Sequence, residues 1–286
     1  MWINATDLYH RTSFPFLPGL FNALCSDIRS YPIADAVAAS MAVPVVFKPT
    51  VLKTFAAGCP TAEAAFVEPT LSSLSTPRLV RSIAEAMHSY RDADGPAFVK
   101  LVDGGVTDNF GLSSILISRA LASNAYSPMT AKDAIRVRKL LFLVVDAGRG
   151  LSGTWNRQLE GPGAIDSAMA ATDAAIDAAA RLAAFSFQAA MEKWRDALVL
   201  HRCSLSAEAL VALGGVPKGW RCDDVEFLVD LLSFQHVEPA TAARARAIET
   251  RLKLSEQEIE VAMDAGRQAV RRSEITHFFA FGVDQQ

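Results

Sequence analysis

Lys100-Leu101-Val102-Asp103-Gly104-Gly105-Val106-Thr107-Asp108-Asn109-Phe110-Gly111 is the stretch on which the reading of this chain turns. Phe98, Val99, Leu101 and Val102 make a short apolar run of the kind that forms a strand covered on both faces. Asp103 closes the run, and Gly104 and Gly105 supply backbone freedom for a sharp turn just after it. Asp108 or Asn109 is placed to cap a helix that opens near Leu112. A carboxylate at the carboxyl end of a strand in an α/β sheet stands where such sheets hold their chemistry. Taken alone, Asp-Gly-Gly reads as a strand, a turn and a solvated acid, since a three-residue motif is a weak signal.

The chain around this stretch has 286 residues, enough for one large domain or two small ones. Hydrophobic residues make up 51% of it, so a sizeable core can be buried. A net charge of −3 argues against a nucleic-acid surface, which needs a basic stripe. No long block of one charge sign is present, and the composition is not that of a disordered chain. The start, Met1-Trp2-Ile3-Asn4-Ala5-Thr6-Asp7, lacks the basic and apolar regions of a signal peptide. Every long apolar run is broken by a charge, so no membrane span is expected. Cys25, Cys59, Cys203 and Cys222 form no Cys-x-x-Cys pair and no zinc pattern with histidine. No metal and no cofactor is expected. Cys203 and Cys222 flank a Gly/Pro-containing loop and would pair in an oxidising compartment; free buried thiols are the simpler reading.

In chain order, residues 2–8 read as a strand with no lead-in, so a preceding segment is expected. Residues 12–32 hold three prolines and several aromatics and read as an ordered loop. Its Phe14, Phe16, Leu17, Leu20 and Phe21 line either an acyl-binding surface or, as such scattered aromatics usually do, the core. Residues 33–42 are Ala-rich and helical, stopped by Pro44. A strand is expected at Val51-Leu52, and a short helix in the loop 56–77. Residues 79–90 carry Leu79, Val80, Ile83, Ala84 and Met87 at helical spacing. A helix follows over 112–123. Residues 139–146 are an unbroken apolar run suited to a central parallel strand, and they end in Asp146, read as a loop-shaping acid. Residues 164–198 read as one long helix and 198–205 as a strand. Short elements follow to Pro239, with helices at 240–252 and 255–270. Ser255 and Glu258 have capping-box spacing.

Three segments together resemble the second half of a patatin-like phospholipase domain. One is Ala5-Thr6-Asp7-Leu8. The next is Ala36-Val37-Ala38-Ala39-Ser40-Met41-Ala42-Val43-Pro44-Val45-Val46-Phe47-Lys48-Pro49. The last is Asp103-Gly104-Gly105 with Asn109. They stand in the family's order and cover about residues 2–120. The stretch from Leu252 to Arg267 resembles the tail of bacterial members less specifically. The resemblance implies an α/β three-layer sandwich with a mainly parallel central sheet, its N-terminal part missing, and a helical C-terminal region. Residues 1–150 would be the C-terminal portion of that domain, and 151–286 a mostly helical extension packed on it.

The family hydrolyses acyl esters of lipids with a serine–aspartate dyad and no histidine, which implies Asp103 as the base, on the turn of Gly104 and Gly105. A serine hydroxyl needs such a base to become a nucleophile. A partly buried carboxylate has its pKa raised and serves better in that role. His10, His88, His201, His236 and His277 have no context that calls for them. The expected partner is a lipid or acyl ester; peripheral membrane contact fits such a substrate, although no amphipathic anchor stands out. The family's Gly-x-Ser-x-Gly elbow would lie upstream of residue 1, and no serine of this chain stands in one. Gly150-Leu151-Ser152-Gly153-Thr154 misses by one position, while Ser40 and Ser113 lack flanking glycine pairs. The chain alone is therefore expected to be inactive. The alternatives are a non-catalytic relic or binding module, or an unrelated α/β binding protein with a coincidental Asp-Gly-Gly.

Overall fold

The computed structural model describes residues 2–56, 59, 62–148, 155–248 and 253–281. It is a mixed α/β structure of two compact units. Met1–Pro128 with Gly163–Phe187 forms one, and Met129–Pro162 with Gln188–Gln286 the other.

The first unit is built on a four-stranded sheet. Its strands are β1 (Asn4–Asp7), β2 (Thr12–Pro15), β3 (Thr50–Lys53) and β4 (Phe98–Val102), in the order β2-β1-β4-β3. Every neighbouring pair is antiparallel, which corrects the expectation of a mainly parallel sheet around Asp103. Two physical features explain the difference. The Arg11 amide donates to the Asp7 carbonyl at 2.8 Å, with Arg11 in the left-handed region at φ 55°, so the chain folds straight back from β1 into β2. Over Phe98–Leu101 strand β4 is also covered on one side only. Val99 and Leu101 are buried while Phe98 and Lys100 face solvent, the alternation of a one-faced antiparallel sheet, and Val102 is buried at the strand's end. The single Lys100 in the apolar run carried that signal.

The buried face packs against the aromatics of residues 12–32. Phe14 is fully buried, and Phe16, Leu20 and Phe21 are nearly so; Leu17 is half-buried. The reading of this set as core therefore holds, with Phe14, Phe16 and Phe21 in mutual edge or tilted ring contact. Helices α1 (Pro18–Ala23), α2 (Ile33–Ser40), α3 (Val67–Ser72) and α4 (Arg78–Ser89) belong to this unit. Helix α4 buries Val80, Ile83, Ala84 and Met87 of the face its spacing predicted, with Leu79 half-buried, and Ile83, Ala84 and Met87 share the core of Phe14 and Leu101. A Phe14→Ala change in such a core costs about 3–5 kcal/mol. After β4 come the single turn α5 (Gly105–Asp108) and helix α6 (Ser113–Ala120).

The second unit contains α7 (Ala131–Arg136) and the strand β5 (Lys139–Asp146). Helix α8 (Ala164–Cys203) leads out of the first unit and ends in the second. Then follow α9 (Ala207–Ala212), β6 (Glu226–Ser233), α10 (Pro239–Arg246), α11 (Glu256–Arg272) and α12 (Glu274–Phe281). Strands β5 and β6 pair in parallel from Lys139↔Glu226 to Asp146↔Ser233. The strand expected over 198–205 is instead the last turns of α8. Met191, Trp194 and Leu198 are buried at spacings of a helical face, and Leu198-Val199-Leu200 continues it. Trp194 contacts Phe142 of β5 and Phe227 of β6. The Ser255–Glu258 capping box is formed at the start of α11. The end of the expected helix 240–252 lies partly outside the described residues.

Both cysteine pairs are disulfides, Cys25–Cys59 with Cα atoms 5.2 Å apart and Cys203–Cys222 with Cα atoms 4.9 Å apart. The free-thiol reading is corrected on both counts. Nothing local announces the first pair: its cysteines are 34 residues apart and meet only through the fold.

Candidate active site

Asp103 follows directly on β4, half-buried, with its carboxylate Oδ1 accepting the Gly105 N–H at 2.7 Å. Burial pushes its pKa above the ordinary carboxylate value, against the lowering effect of that hydrogen bond. The backbone around it is fixed from two directions. The Asp103 amide donates to the Ala42 carbonyl at 2.9 Å and the Gly104 amide to the Ser40 carbonyl at 3.2 Å. On the other side, the Thr6 hydroxyl donates to the Asp103 carbonyl at 2.9 Å and meets the Thr107 hydroxyl at 2.8 Å. The three segments singled out in the sequence thus converge on one turn.

The two glycines act differently from expectation. Gly104 has φ −64° and ψ −28°, open to any residue, so backbone freedom is not what it supplies. A Cβ at Gly104 would stand 2.4 Å from the Asn4 carbonyl oxygen on β1. A Cβ at Gly105 would stand 2.9 Å from Asp103 Oδ1 and 2.7 Å from Asn109 Oδ1. The Gly104 contact is with backbone and holds that position to glycine, whereas the Gly105 contacts are with side-chain oxygens that can shift. The glycine that does need the left-handed region is Gly111, at φ 67°.

Asp108 fulfils the expected role at the next helix. It accepts the Leu112 N–H at 2.9 Å and the Ser113 N–H at 3.1 Å, two donors that open α6 and have no helical acceptor. The Ser113 hydroxyl also donates to it. This serine–aspartate contact is buried, and its carboxylate is occupied with the helix start. Ser40 is half-buried and contributes its carbonyl to the Asp103 turn. Just beyond, Val45 holds φ 73°, a conformation that costs a β-branched residue about 1–2 kcal/mol. In the second unit Asp146 accepts the Gly148 N–H at 2.8 Å, the loop-shaping role read from the sequence. Ser152 lies outside the described residues.

A polar cluster that sequence reasoning passed over surrounds Asp7, which is fully buried. Its Oδ2 takes the Tyr90 hydroxyl at 2.7 Å and faces His10 Nδ1 at 2.5 Å, and its Oδ1 accepts the Tyr9 N–H at 2.9 Å. Burial works against the Asp7 carboxylate, yet the His10 and Tyr90 hydrogen bonds outweigh it and hold its pKa below the usual range. Burial likewise drives the Tyr90 hydroxyl well above its ordinary value, and the Asp7 charge adds to the effect. The Asp7-x-x-His10 spacing was legible; Tyr90 joins only through the packing of α4 on β2. His10 thus has a partner the sequence reading did not give it.

Among the described residues, no three His, Cys, Asp or Glu side chains gather as a metal site. No described helix is long and apolar enough to cross a membrane. No family model, no curated protein and no solved structure matches the chain.

Proposed function

We propose that this chain carries the base half of a lipid acyl hydrolase of the patatin-like kind, with Asp103 as proton acceptor. The observation that supports the reading is the meeting of Ala42, Thr6 and Asp103 at one turn, with a half-buried carboxylate of raised pKa at its tip. In this chemistry the Asp103 carboxylate takes the proton of a serine hydroxyl as its oxygen attacks the ester carbonyl. The bond to the alcohol then breaks, and the proton passes to the leaving alkoxide. Water attacks the acyl-serine in turn, losing its proton to Asp103; the acyl–serine bond breaks, the fatty acid leaves, and Asp103 returns the proton to the serine oxygen. The serine comes from outside these residues, since none of theirs stands in a nucleophile elbow.

The three-layer sandwich with a mainly parallel sheet belongs to the same proposal and requires strands beyond the six described. The absence of an elbow serine equally favours a second reading, a binding module that has lost the chemistry.

Native protein from its source decides between them. An intact mass well above 30.8 kDa, with esterase activity lost in Asp103→Asn, supports the hydrolase. A mass matching 286 residues, with no turnover on short-chain esters and no partner chain, supports the binding module. Turnover by pure 1–286 that Asp103→Ala abolishes would show that a serine within this chain serves.

A further inference from the structure

Strands β3 and β4 of the first unit turn Leu52, Val99 and Leu101 to the core. Alternation sends Val51 and Lys53 of β3, with Phe98 and Lys100 of β4, to the opposite side, and all four are exposed. The register sets Val51 beside Lys100 and Lys53 beside Phe98, so cation and apolar group alternate across the two strands. The Lys100 ammonium lies 4.9 Å from the centroid of the Phe98 ring, and the Lys53 ammonium 5.3 Å from that of Phe55. Val51 and Phe98 each keep 50% of their surface in water, and Phe55 keeps 48%. Scattered exposed apolar side chains are ordinary, but a contiguous group of them marks an interaction surface.

The charges on this face have one sign. Neither strand contains an acid, and residues 36–62 hold two lysines, Lys48 and Lys53, and no Asp or Glu. Among the described residues, the ion pairs include neither Lys53 nor Lys100. The chain leading into β3 has the same composition, with Val45, Val46, Phe47 and Lys48 all exposed. A lysine on an edge strand commonly keeps other strands from pairing there, and β3 is an edge. Strand β4 lies between β1 and β3, so Lys100 has no edge to guard. An acidic peptide would take the ammoniums and leave the rings in water, and an apolar strand would bury the ammoniums unpaired. A bilayer interface accepts both, the apolar groups among the upper acyl chains and the ammoniums at the phosphates.

We infer that the outer face of β3 and β4 docks on a bilayer that carries anionic phospholipid, with Phe55 and Phe98 entering the interface and Lys53 and Lys100 at the head groups. The whole chain has a net charge of −3, so attraction to an anionic surface has to come from this face. The inference stands on exposure and charge and not on the hydrolase reading. Its test reads binding without ester turnover, so either reading can fail alone.

Co-sedimentation of the full chain with vesicles tests it, phosphatidylcholine alone against a mixture of phosphatidylcholine and phosphatidylserine. The chain should sediment with the mixed vesicles and stay in solution with the neutral ones. Binding should weaken at about 1 M salt, where the screening length is about 3 Å. Lys53→Ala with Lys100→Ala should weaken it by at least about tenfold, the scale of two lysines at an anionic surface. Phe98→Ser should weaken it as well, while Lys193→Ala on α8 should leave it unchanged. No uptake by the mixed vesicles, equal uptake by both kinds, or undiminished binding by the double lysine variant would overturn the assignment. Binding of soluble polyglutamate in place of vesicles would give the face to an acidic protein instead and overturn it too. If Phe98→Ser fails to fold, the exposed lysine pair still decides.

Discussion

The backbone amide of Asp103 donates to the carbonyl of Ala42 at 2.9 Å, joining the strand tip that carries the candidate base to the chain just beyond helix α2. The bond takes no side chain from either residue. It positions Asp103 by its backbone, so substitutions of the carboxylate can be read as chemistry with little disturbance of the turn.

Asp103→Asn keeps an oxygen to accept the Gly105 N–H and removes the base. In the native protein it should lower ester turnover by about 10²–10⁴-fold, the usual contribution of a general base. The raised pKa places the acid limb of the wild-type rate profile above the pH expected of an ordinary aspartate. The stability sign is the opposite. A carboxyl whose folded pKa is raised contributes stability below its unfolded pKa and loses it as pH rises through the folded one. Asp103→Asn should therefore melt above wild type at neutral pH, and the gap should close in acid. Thermal melts at pH 7 and pH 3 check this, and a gap that is independent of pH would contradict the assigned shift.

Gly104→Ala introduces a Cβ against the Asn4 carbonyl oxygen, a backbone atom held in the sheet. Either β1 or the turn must move, at about 1–3 kcal/mol. Denaturant unfolding should show the loss. The same change at Gly111 is costly for a different reason, its positive φ. If Gly104→Ala is as stable as wild type, the close approach of β1 to the turn is wrong.

Tyr90→Phe deletes the hydroxyl that serves buried Asp7. A hydrogen bond to a charged group contributes about 1.5–3 kcal/mol, so unfolding in urea should reveal a loss of that order. Because Asp7 has a depressed pKa, the cluster's stability is present above the unfolded carboxyl pKa and lost as pH falls through the folded one. The deficit of Tyr90→Phe relative to wild type should accordingly shrink in acid. A deficit that stays constant down to pH 2 would mean the hydroxyl does not serve the carboxylate.

The disulfides close loops with sequence separations of 34 and 19 residues. Loop-closure entropy gives each a contribution of about 3–4 kcal/mol. Unfolded, unreduced protein should show no thiol to Ellman's reagent. Replacing Cys203 and Cys222 together by alanine should lower the unfolding midpoint clearly. Titration of four thiols in protein handled without reductant would exclude both bridges.

Sequence alone determined what depends on local periodicity and composition. The helical face of Val80, Ile83, Ala84 and Met87, the long Ala-rich helix α8, strand β5 and the capping box at Ser255 all follow from neighbours within one or two turns. The position of Asp103 at a strand tip, and the donors that Asp108 satisfies at the next helix, were legible for the same reason. Tertiary structure decided what depends on which segments meet. An apolar run such as Phe98–Val102 is compatible with either strand direction, and its pairing with β1 and β3 settled it as antiparallel. Gly104 looked like a conformational requirement because a sequence shows the residue and not the Asn4 carbonyl opposite it. The pairing of Cys25 with Cys59 and the Tyr90 hydroxyl on Asp7 are likewise contacts between distant residues. Their energies come from packing and desolvation, and those exist only once the chain has folded.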